Sequence, residues 1–269
     1  IEDCFIFSAL DSSGWSAADW VSKPASGIWL GRHGRRHVAR NNHVLNTRMG
    51  IDICAPDCLV EGNIIDRFSG DAIRVTRDGI TVRHNVITNN FVSDKDGDKN
   101  HDDGIQCFLF NKGRGLVRDV TIAGNLIVER SDPRLALRNP LQGIGLFDGP
   151  LSGFVVKDNV VRVNAWHGVA VYDGQGCTVT NNVCLAQDPG SRSKPWVMLG
   201  QKRKLASGNT VTGNRAHSFN FKADSKVTAL NNQAIDPGSF RQRRDQLLKI
   251  INEQHGRHHP VSKTARLHP

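Results

Sequence analysis

The residues best suited to chemistry in this 269-residue chain meet in one short segment, residues 100–106. It reads Asn-His-Asp-Asp-Gly-Ile-Gln and places His101, Asp102 and Asp103 side by side. An imidazole can act as an acid or a base near neutral pH, and carboxylates can move protons, orient a histidine or bind a cation. The segment therefore predicts a functional site. The simpler interpretation is a solvated acidic turn in which Asp102 caps backbone amides.

An acidic stretch at residues 93–99 directly precedes that segment. Asp94, Asp96 and Asp98 alternate like the first ligands of a calcium-binding loop. However, Lys99 stands where an EF-hand loop needs glycine, and Ile105 stands where it needs its final glutamate. We therefore expect no EF-hand. A looser Ca²⁺ site that also uses Asp102 or Asp103 remains an expectation, and a merely solubilising loop explains the stretch equally well.

An internal repeat indicates the scaffold that must position these residues. An aliphatic residue, two variable residues and an asparagine recur seven times. The asparagines are Asn41, Asn63, Asn85, Asn125, Asn159, Asn182 and Asn214, with spacings of 22, 22, 40, 34, 23 and 32 residues. A coil of about 22 residues explains the short spacings, and loop insertions explain the long ones. Asparagine at a repeated turn tolerates a left-handed backbone and can bond to the asparagine of the next coil.

A short aliphatic strand follows each asparagine and fixes the inward positions. Single coils cannot bury their aliphatic residues, so coils must stack around one core. Alternation along the strands points Ile51, Ile73, Ile105, Ile144 and Val169 into that core. We predict an all-β parallel β-helix over residues 1–236 and a C-terminal helical segment over 237–256 that caps its open end. Residues 257–269 form a basic tail that we expect to be disordered.

Aligning the coils on these inward residues predicts rows of outward side chains about 4.8 Å apart. The row just after the inward residue contains Asp52, Arg74 and Gln106, and the row two before it contains Asp71, Asp103, Gln142 and His167. We expect these residues on one outer surface. Trp166 could stack on a sugar ring or pack internally. Arg134 and Arg138 of a second inserted loop, and Lys202 further along, could hold carboxylates.

Composition narrows the function only slightly. The net charge is +9, and much of it lies beyond Pro237, so a polyanionic partner gains modest support and nucleic acid gains little. Six cysteines form no zinc pattern, and most are expected as small core residues, although Cys54 and Cys58 could bond across a turn. No apolar run reaches membrane-spanning length. The chain begins at Ile1 rather than methionine, so we expect any signal peptide to lie outside it.

The repeat over residues 36–232 resembles that of the pectate-lyase-like superfamily of right-handed parallel β-helices. The resemblance implies a right-handed coil and a secreted, periplasmic or virion-associated protein that acts on polysaccharides. That superfamily contains polysaccharide lyases, glycoside hydrolases, uronate epimerases and phage tail spikes, so the resemblance does not select a reaction. The repeat carries no signal for oligomeric state.

Cleavage of an acidic, uronate-containing polysaccharide by β-elimination is the function expected first. Arg74, Arg134 or Ca²⁺ would neutralise the uronate carboxylate, and His101 or His167 would remove the neighbouring proton. A uronate epimerase would use the same groups.

Two alternatives remain open. A glycoside hydrolase would use Asp71, Asp102 and Asp103, with His167 assisting. Its Asp-Asp and His-Gly elements are similar to those of the polygalacturonase-type family, whose Asn-Thr-Asp and Arg-Ile-Lys elements are absent here. A non-catalytic glycan-binding protein or tail spike would use the coil only as a rigid support.

Overall fold

The strands of the chain form a coil with three long faces. The computed structural model describes residues 1–91, 102–108, 115–133, 135, 139–222 and 226–256, and within them 28 strands and two helices. The predicted tail, residues 257–269, lies outside the described residues. Each turn of the chain contributes one strand to each long sheet, and paired strands are parallel. The fold is a right-handed parallel β-helix, as predicted.

The strands are numbered in chain order and grouped here by sheet. Sheet 1 contains β1 (Phe5–Phe7), β4 (His43–Thr47), β7 (Ile64–Phe68), β10 (Val86–Asn90), β14 (Leu126–Val128), β18 (Val160–Val163), β22 (Val183–Ala186), β25 (Arg215–Ala216) and β28 (Gln233–Ala234). Sheet 2 contains β2 (Ile28–Leu30), β5 (Ile51–Ile53), β8 (Ile73–Val75), β11 (Asp103–Phe108), β15 (Gln142–Asp148), β19 (His167–Tyr172), β23 (Trp196–Gly200) and β26 (Ser218–Phe221). Sheet 3 contains β3 (Val38–Arg40), β6 (Leu59–Glu61), β9 (Thr81–Arg83), β13 (Thr121–Ala123), β17 (Val155–Lys157), β21 (Thr178–Thr180), β24 (Asn209–Thr212) and β27 (Val227–Leu230). A short sheet contains β12 (Val117–Arg118), β16 (Leu151–Ser152) and β20 (Gly174–Gln175), and the helices are α1 (Ala17–Ser22) and α2 (Pro237–His255).

The core is a column of small aliphatic side chains enclosed by the three sheets. The five residues predicted to point inward are at most 1% exposed, which confirms the alternation. Glycine or alanine precedes each of them, at the corner where sheet 2 begins. At Gly143, an added Cβ would lie 2.3 Å from the Gly168 carbonyl oxygen and 2.6 Å from Val161. Even a methyl group therefore has no room at Gly143, and the coil can stay narrow at this corner.

The predicted asparagine ladder is present, with one correction. Each ladder asparagine accepts, on its side-chain oxygen, hydrogen bonds from the backbone and side-chain amides of the asparagine one coil earlier. In the first repeat this residue is Asn42 rather than Asn41, because Ala39 and not Val38 pairs with Val60. The left-handed backbone belongs to the residue before the ladder asparagine, such as Gly124 at φ 60.

The C-terminal helix lies along the side of the coil rather than over its end. Near its start, Ser239 Oγ accepts from Arg215 Nη1, and at its end His255 Nδ1 lies 2.8 Å from Asn41 Oδ1. The helix therefore runs from the last coils back towards the first. Phe240, Leu247 and Ile251 pack against outward aliphatic residues of sheet 1. The predicted helix is confirmed, but its predicted position at the open end is wrong.

The N-terminal residues and the cysteines complete the description of the coil. Residues 1–35 form the first coil, with α1 inserted between β1 and β2, and the buried Trp20 stacks on Phe91 at 4.3 Å. All six cysteines are free thiols, so Cys54 and Cys58 are not bonded. Five of the six are buried, as expected for core residues. Neither helix of the described chain is long and apolar enough to cross a membrane.

Candidate functional site

The outer face of sheet 2 gathers most of the predicted site residues. Register places Trp29, Asp52, Arg74, Gln106, Gly145, Ala170 and Met198 in one outward row across seven strands. Asp103 pairs with Gln142 in the adjacent row. Between β19 and β23 the register shifts, so that His167 pairs with Trp196 while Val169 pairs with Val197. The predicted row of Asp52, Arg74 and Gln106 is therefore confirmed, and so is the alignment of Asp103 with Gln142 in the second row.

Asp71, Arg74 and Asp103 form a bonded group at the centre of this face. The Asp71 carboxylate accepts from Arg74 Nε at 2.5 Å and from the Asp103 backbone N–H at 2.9 Å. Gln106 Nε2 donates to Asp103 Oδ2 at 3.2 Å, and the Arg74 guanidinium lies 5.6 Å from the centre of the Phe108 ring. Arg74 thus offsets the charge of a buried carboxylate three residues before it, at the corner that precedes β8.

The three aspartates differ from prediction in their exposure. Asp71, Asp102 and Asp103 are 1%, 3% and 0% exposed, whereas the row argument placed Asp71 and Asp103 on an open surface. Asp102 accepts from Asn90 Nδ2 at 3.0 Å. Buried carboxylates need such partners because desolvation penalises an unpaired charge. The outward direction of the rows was predictable, but the depth of these side chains was not.

Gly145 provides the space that this group needs. A Cβ at Gly145 would lie 2.2 Å from Asp103 Oδ1 and 2.2 Å from the Phe147 ring. Glycine at this point of the outward row therefore lets a carboxylate and an aromatic ring lie over one backbone position.

A hydrogen bond to Gln142 and a group of aromatic rings orient His167. Its Nδ1 lies 2.6 Å from Gln142 Oε1, which can only accept, so Nδ1 carries a proton. The imidazole meets Phe147 at 4.9 Å and Trp196 at 5.5 Å between ring centres, both edge to face. These contacts fix the orientation of the ring. In the neutral state the lone pair then lies on Nε2.

An open cleft of about 580 Å³ adjoins His167 and is called the Trp166 cleft. It is lined by Pro140, Gln142, Asn164, Ala165, Trp166, His167, Ser191, Arg192 and Ser193. The Trp166 side chain is 54% exposed, and its ring lies 5.6 Å from that of Trp196. Of the two predicted roles for Trp166, exposure favours ligand stacking over internal packing. Sequence reasoning missed Asn164 and Arg192, because neither lies in a repeated row.

Glu129 is another residue that the sequence did not identify as part of the site. Its buried carboxylate accepts from the backbone N–H groups of Leu141 and Asn164 at 3.1 and 2.7 Å, and from Asn164 Nδ2 at 3.0 Å. Burial raises the pKa of this carboxyl group, and the three hydrogen bonds oppose that rise. Glu129 thus ties together two walls of the Trp166 cleft. Its only sequence signal was a charge at the start of an inserted loop.

Asp52 and Lys202 lie towards the two ends of the face. Burial raises the pKa of Asp52, and the nearby Arg74 charge partly offsets that rise. Trp29, which is 59% exposed, precedes Asp52 in the outward row. Lys202 Nζ lies 5.1 Å from the centre of the Tyr172 ring and 3.6 Å from an Asp148 oxygen. Lys202 is thus placed against the aromatic group, as a basic residue beside a sugar site would be.

Several predicted site residues lie outside the described residues. They are His101, Asp94, Asp96, Asp98, Arg134 and Arg138. Among the described residues, no group of three or more histidine, cysteine or acidic side chains is placed to hold a metal ion. The described part of the face therefore does not provide a Ca²⁺ site by itself, and no step below is routed through a metal.

Comparison with known proteins adds little to this geometry. No protein-family model matches the chain, and no curated protein matches it. Among solved structures, the chain is similar to the Dettilon tailspike protein (gp208), with 14% sequence identity and a TM-score of 0.40. The match covers 79% of this chain and 50% of that one, so the chain spans about half the length of the tailspike protein.

Proposed function

We propose that the protein binds an acidic polysaccharide on the outer face of sheet 2, with one sugar residue in the Trp166 cleft. The observation that carries the proposal is the meeting of Trp166, His167 and Arg192 around an open space of sugar size. A half-exposed indole offers an apolar face to a pyranose ring while its edge stays wet. A guanidinium pairs with a carboxylate through two parallel hydrogen bonds.

The extent of the face favours a polymer over a single sugar. Trp29 on β2 and His167 on β19 are separated by five strand spacings, or about 24 Å. Polar residues of the outward row, Asp52, Arg74 and Gln106, lie between them. A polysaccharide lying across the strands would contact an exposed indole at each end, Trp29 at one and Trp166 at the other. Because such polymers are met outside the cell, the proposal implies a secreted, periplasmic or virion-associated protein.

Cleavage by β-elimination is the catalytic form of the proposal. The hydrogen bond between His167 Nδ1 and Gln142 favours it, because it leaves Nε2 as the basic atom beside the cleft. Arg192 would neutralise the uronate carboxylate and so acidify the C5 proton. His167 takes that proton, the electron pair forms the C4–C5 double bond, the C4–O bond breaks, and the departing oxygen takes a proton from water. Gln142 acts as a positioning residue.

Hydrolysis receives less support from the same geometry. It would require Asp71, Asp102 or Asp103 to reach the glycosidic bond. Each is nearly fully buried and hydrogen-bonded within the coil. The resemblance to pectate-lyase-like proteins is compatible with either reaction or with binding alone, so the reaction has to be measured.

Binding is tested first, with acidic and neutral polysaccharides in affinity electrophoresis. Trp166→Ala and Arg192→Ala are each expected to weaken binding of the acidic polymer at least tenfold, or about 1.4 kcal/mol. Phe5→Ala is the matched control, since Phe5 is 49% exposed on β1 of sheet 1. Failure of all polymers to bind, or equal losses in the control, would overturn the proposal.

Reaction is then followed by the ultraviolet absorbance of an unsaturated uronate together with new reducing ends. Both signals indicate a lyase, and His167→Gln should then abolish them while binding is kept. Reducing ends without absorbance would indicate a hydrolase. Binding with neither signal would leave a non-catalytic glycan-binding protein and remove the catalytic role from His167.

A further inference from the structure

A second concavity lies between α2 and the outer face of sheet 3, and it shares no lining residue with the Trp166 cleft. This helix groove encloses about 820 Å³. Its floor comes from β9, β13 and β17 and from the corner after each strand, and its wall comes from α2. Nothing in the proposed glycan site uses these residues.

The floor contains a notch one coil wide. Register aligns Arg83, Ala123 and Lys157 on the three neighbouring strands. Gly124 follows Ala123 in the middle coil, so this coil contributes only a methyl group and a hydrogen. At the same two positions the neighbouring coils have Arg83 with His84 and Lys157 with Asp158. A Cβ at Gly124 would lie 2.9 Å from His84 Cδ2 and 3.6 Å from Leu247 Cδ1. The His84 ring thus fills the space beside Gly124, and the open part of the groove lies over Ala123, between Arg83 and Lys157.

The wall of the groove is apolar. Val160 and Leu247 are buried beneath it, and Ile250 lines it with 41% of its surface exposed. An exposed aliphatic side chain inside a concavity favours a ligand with an apolar body, because burial of that surface releases water.

The rim of the groove is cationic. Arg83, Lys157, Arg243 and Lys249 line it, against the carboxylates of Asp158 and Glu253. Asp158 lies 3.4 Å from Arg243, and Glu253 lies 3.9 Å from Lys249. Arg83 Nε bonds to Glu61, which lies outside the groove. Lys157 is exposed and forms no ion pair within the described residues, so its ammonium group is accessible to an anionic ligand.

We propose that the helix groove binds a small amphipathic anion, an aromatic or aliphatic carboxylate or sulfonate. Its apolar body fills the notch over Ala123 against Ile250, and its anionic group pairs with Lys157. The two parts of the ligand correspond to the two parts of the site. The helix that covers sheet 1 thus also forms one wall of a ligand site on its flank.

The test uses two fluorescent probes that differ in charge. Anilinonaphthalene sulfonate is an apolar anion, and N-phenylnaphthylamine has a similar ring system without the sulfonate. Lys157→Glu is expected to weaken sulfonate binding at least about tenfold and to change amine binding less than about twofold. Lys194→Glu, an exposed residue outside the groove, is the control for total charge.

A second pair of variants tests the notch. Ala123→Trp should fill it and abolish binding of both probes. Thr180→Trp introduces the same side chain in the same outward row of sheet 3, next to Lys157 but outside the groove, and should leave binding unchanged. Circular dichroism of each variant checks that it is folded. No probe binding to the parent protein, binding that survives Ala123→Trp, or equal losses in both lysine variants would overturn the proposal.

Discussion

Replacing Asn85 by alanine should destabilise the coil more than any of its individual hydrogen bonds suggests. Asn85 Oδ1 accepts from the backbone N–H and the Nδ2 of Asn63, at 3.0 and 2.9 Å. Its own Nδ2 donates to Asn125 Oδ1 at 2.9 Å and to the Val60 carbonyl at 3.0 Å. Because Asn85 is fully buried, alanine leaves the Asn63 N–H without this partner in a dry site, at a cost of about 1–3 kcal/mol. The three other lost side-chain bonds add roughly 0.5–1.5 kcal/mol each, so we expect a loss of about 5 kcal/mol.

The assay is urea unfolding followed by far-ultraviolet circular dichroism, with the free energy taken from the midpoint and the slope. Asn252→Ala is the control, because Asn252 lies exposed on α2 and should change stability by less than about 0.5 kcal/mol. A repeat protein can lose coils separately, and a reduced slope would report that behaviour. An Asn85→Ala variant as stable as the control would refute the view that the ladder holds the coils in register.

Three further predictions concern single residues. Gly145→Ala should lower the free energy of unfolding by roughly 1–3 kcal/mol, because the new methyl group would overlap the Asp103 carboxylate; unchanged urea stability would contradict this. Burial raises the folded-state pKa of Asp52, so the folded state binds the extra proton and stability falls as pH rises from the unfolded value of 3.8 through the raised one. Asp52→Asn should therefore increase urea stability at pH 7 but not at pH 3, and an equal effect at both would refute that cause. In a thiol-reagent titration of the folded protein, Cys4 alone should react quickly, because it is exposed while burial raises the pKa of Cys184 to about 12; a second fast thiol would contradict this.

The repeat was readable because stacking imposes the same demands on every coil. Each coil needs an inward aliphatic residue and an asparagine at one corner, so both recur with a measurable period. The error at the first coil has a simple origin. Asn41 and Asn42 are adjacent, and the aliphatic residue that is aligned inward is Ala39 rather than Val38. The spacing alone could not distinguish these two choices.

The candidate site was only partly readable. Alternation placed Asp52, Arg74 and Gln106 in one row, because a parallel register carries the direction of one side chain to the next. It could not give the depth of Asp71 and Asp103, which depends on neighbours distant in sequence. The Trp166 cleft was also beyond the row argument, since Arg192 lies in an inserted segment and follows no period.

The position of α2 could have been predicted from the outward apolar residues of the repeat, which the inward rows left out of account. Two apolar residues follow the ladder asparagine in five successive coils, although one strand face can bury only one of them inside the core. The first of each pair points outwards; these residues are Ile64, Val86, Leu126, Val160 and Val183.

That outward stripe sets the extent of the helix. The five rungs span about 19 Å, which is four strand spacings. The apolar residues of α2 from Phe240 to Ile251 span about 16 Å at 1.5 Å per residue. The stripe ends where polar residues take over, at His43 in the coil before Ile64 and at Arg215 in the coil after Val183. A helix over the end of the coil would leave this stripe in water, whereas a helix along sheet 1 buries it and matches its length.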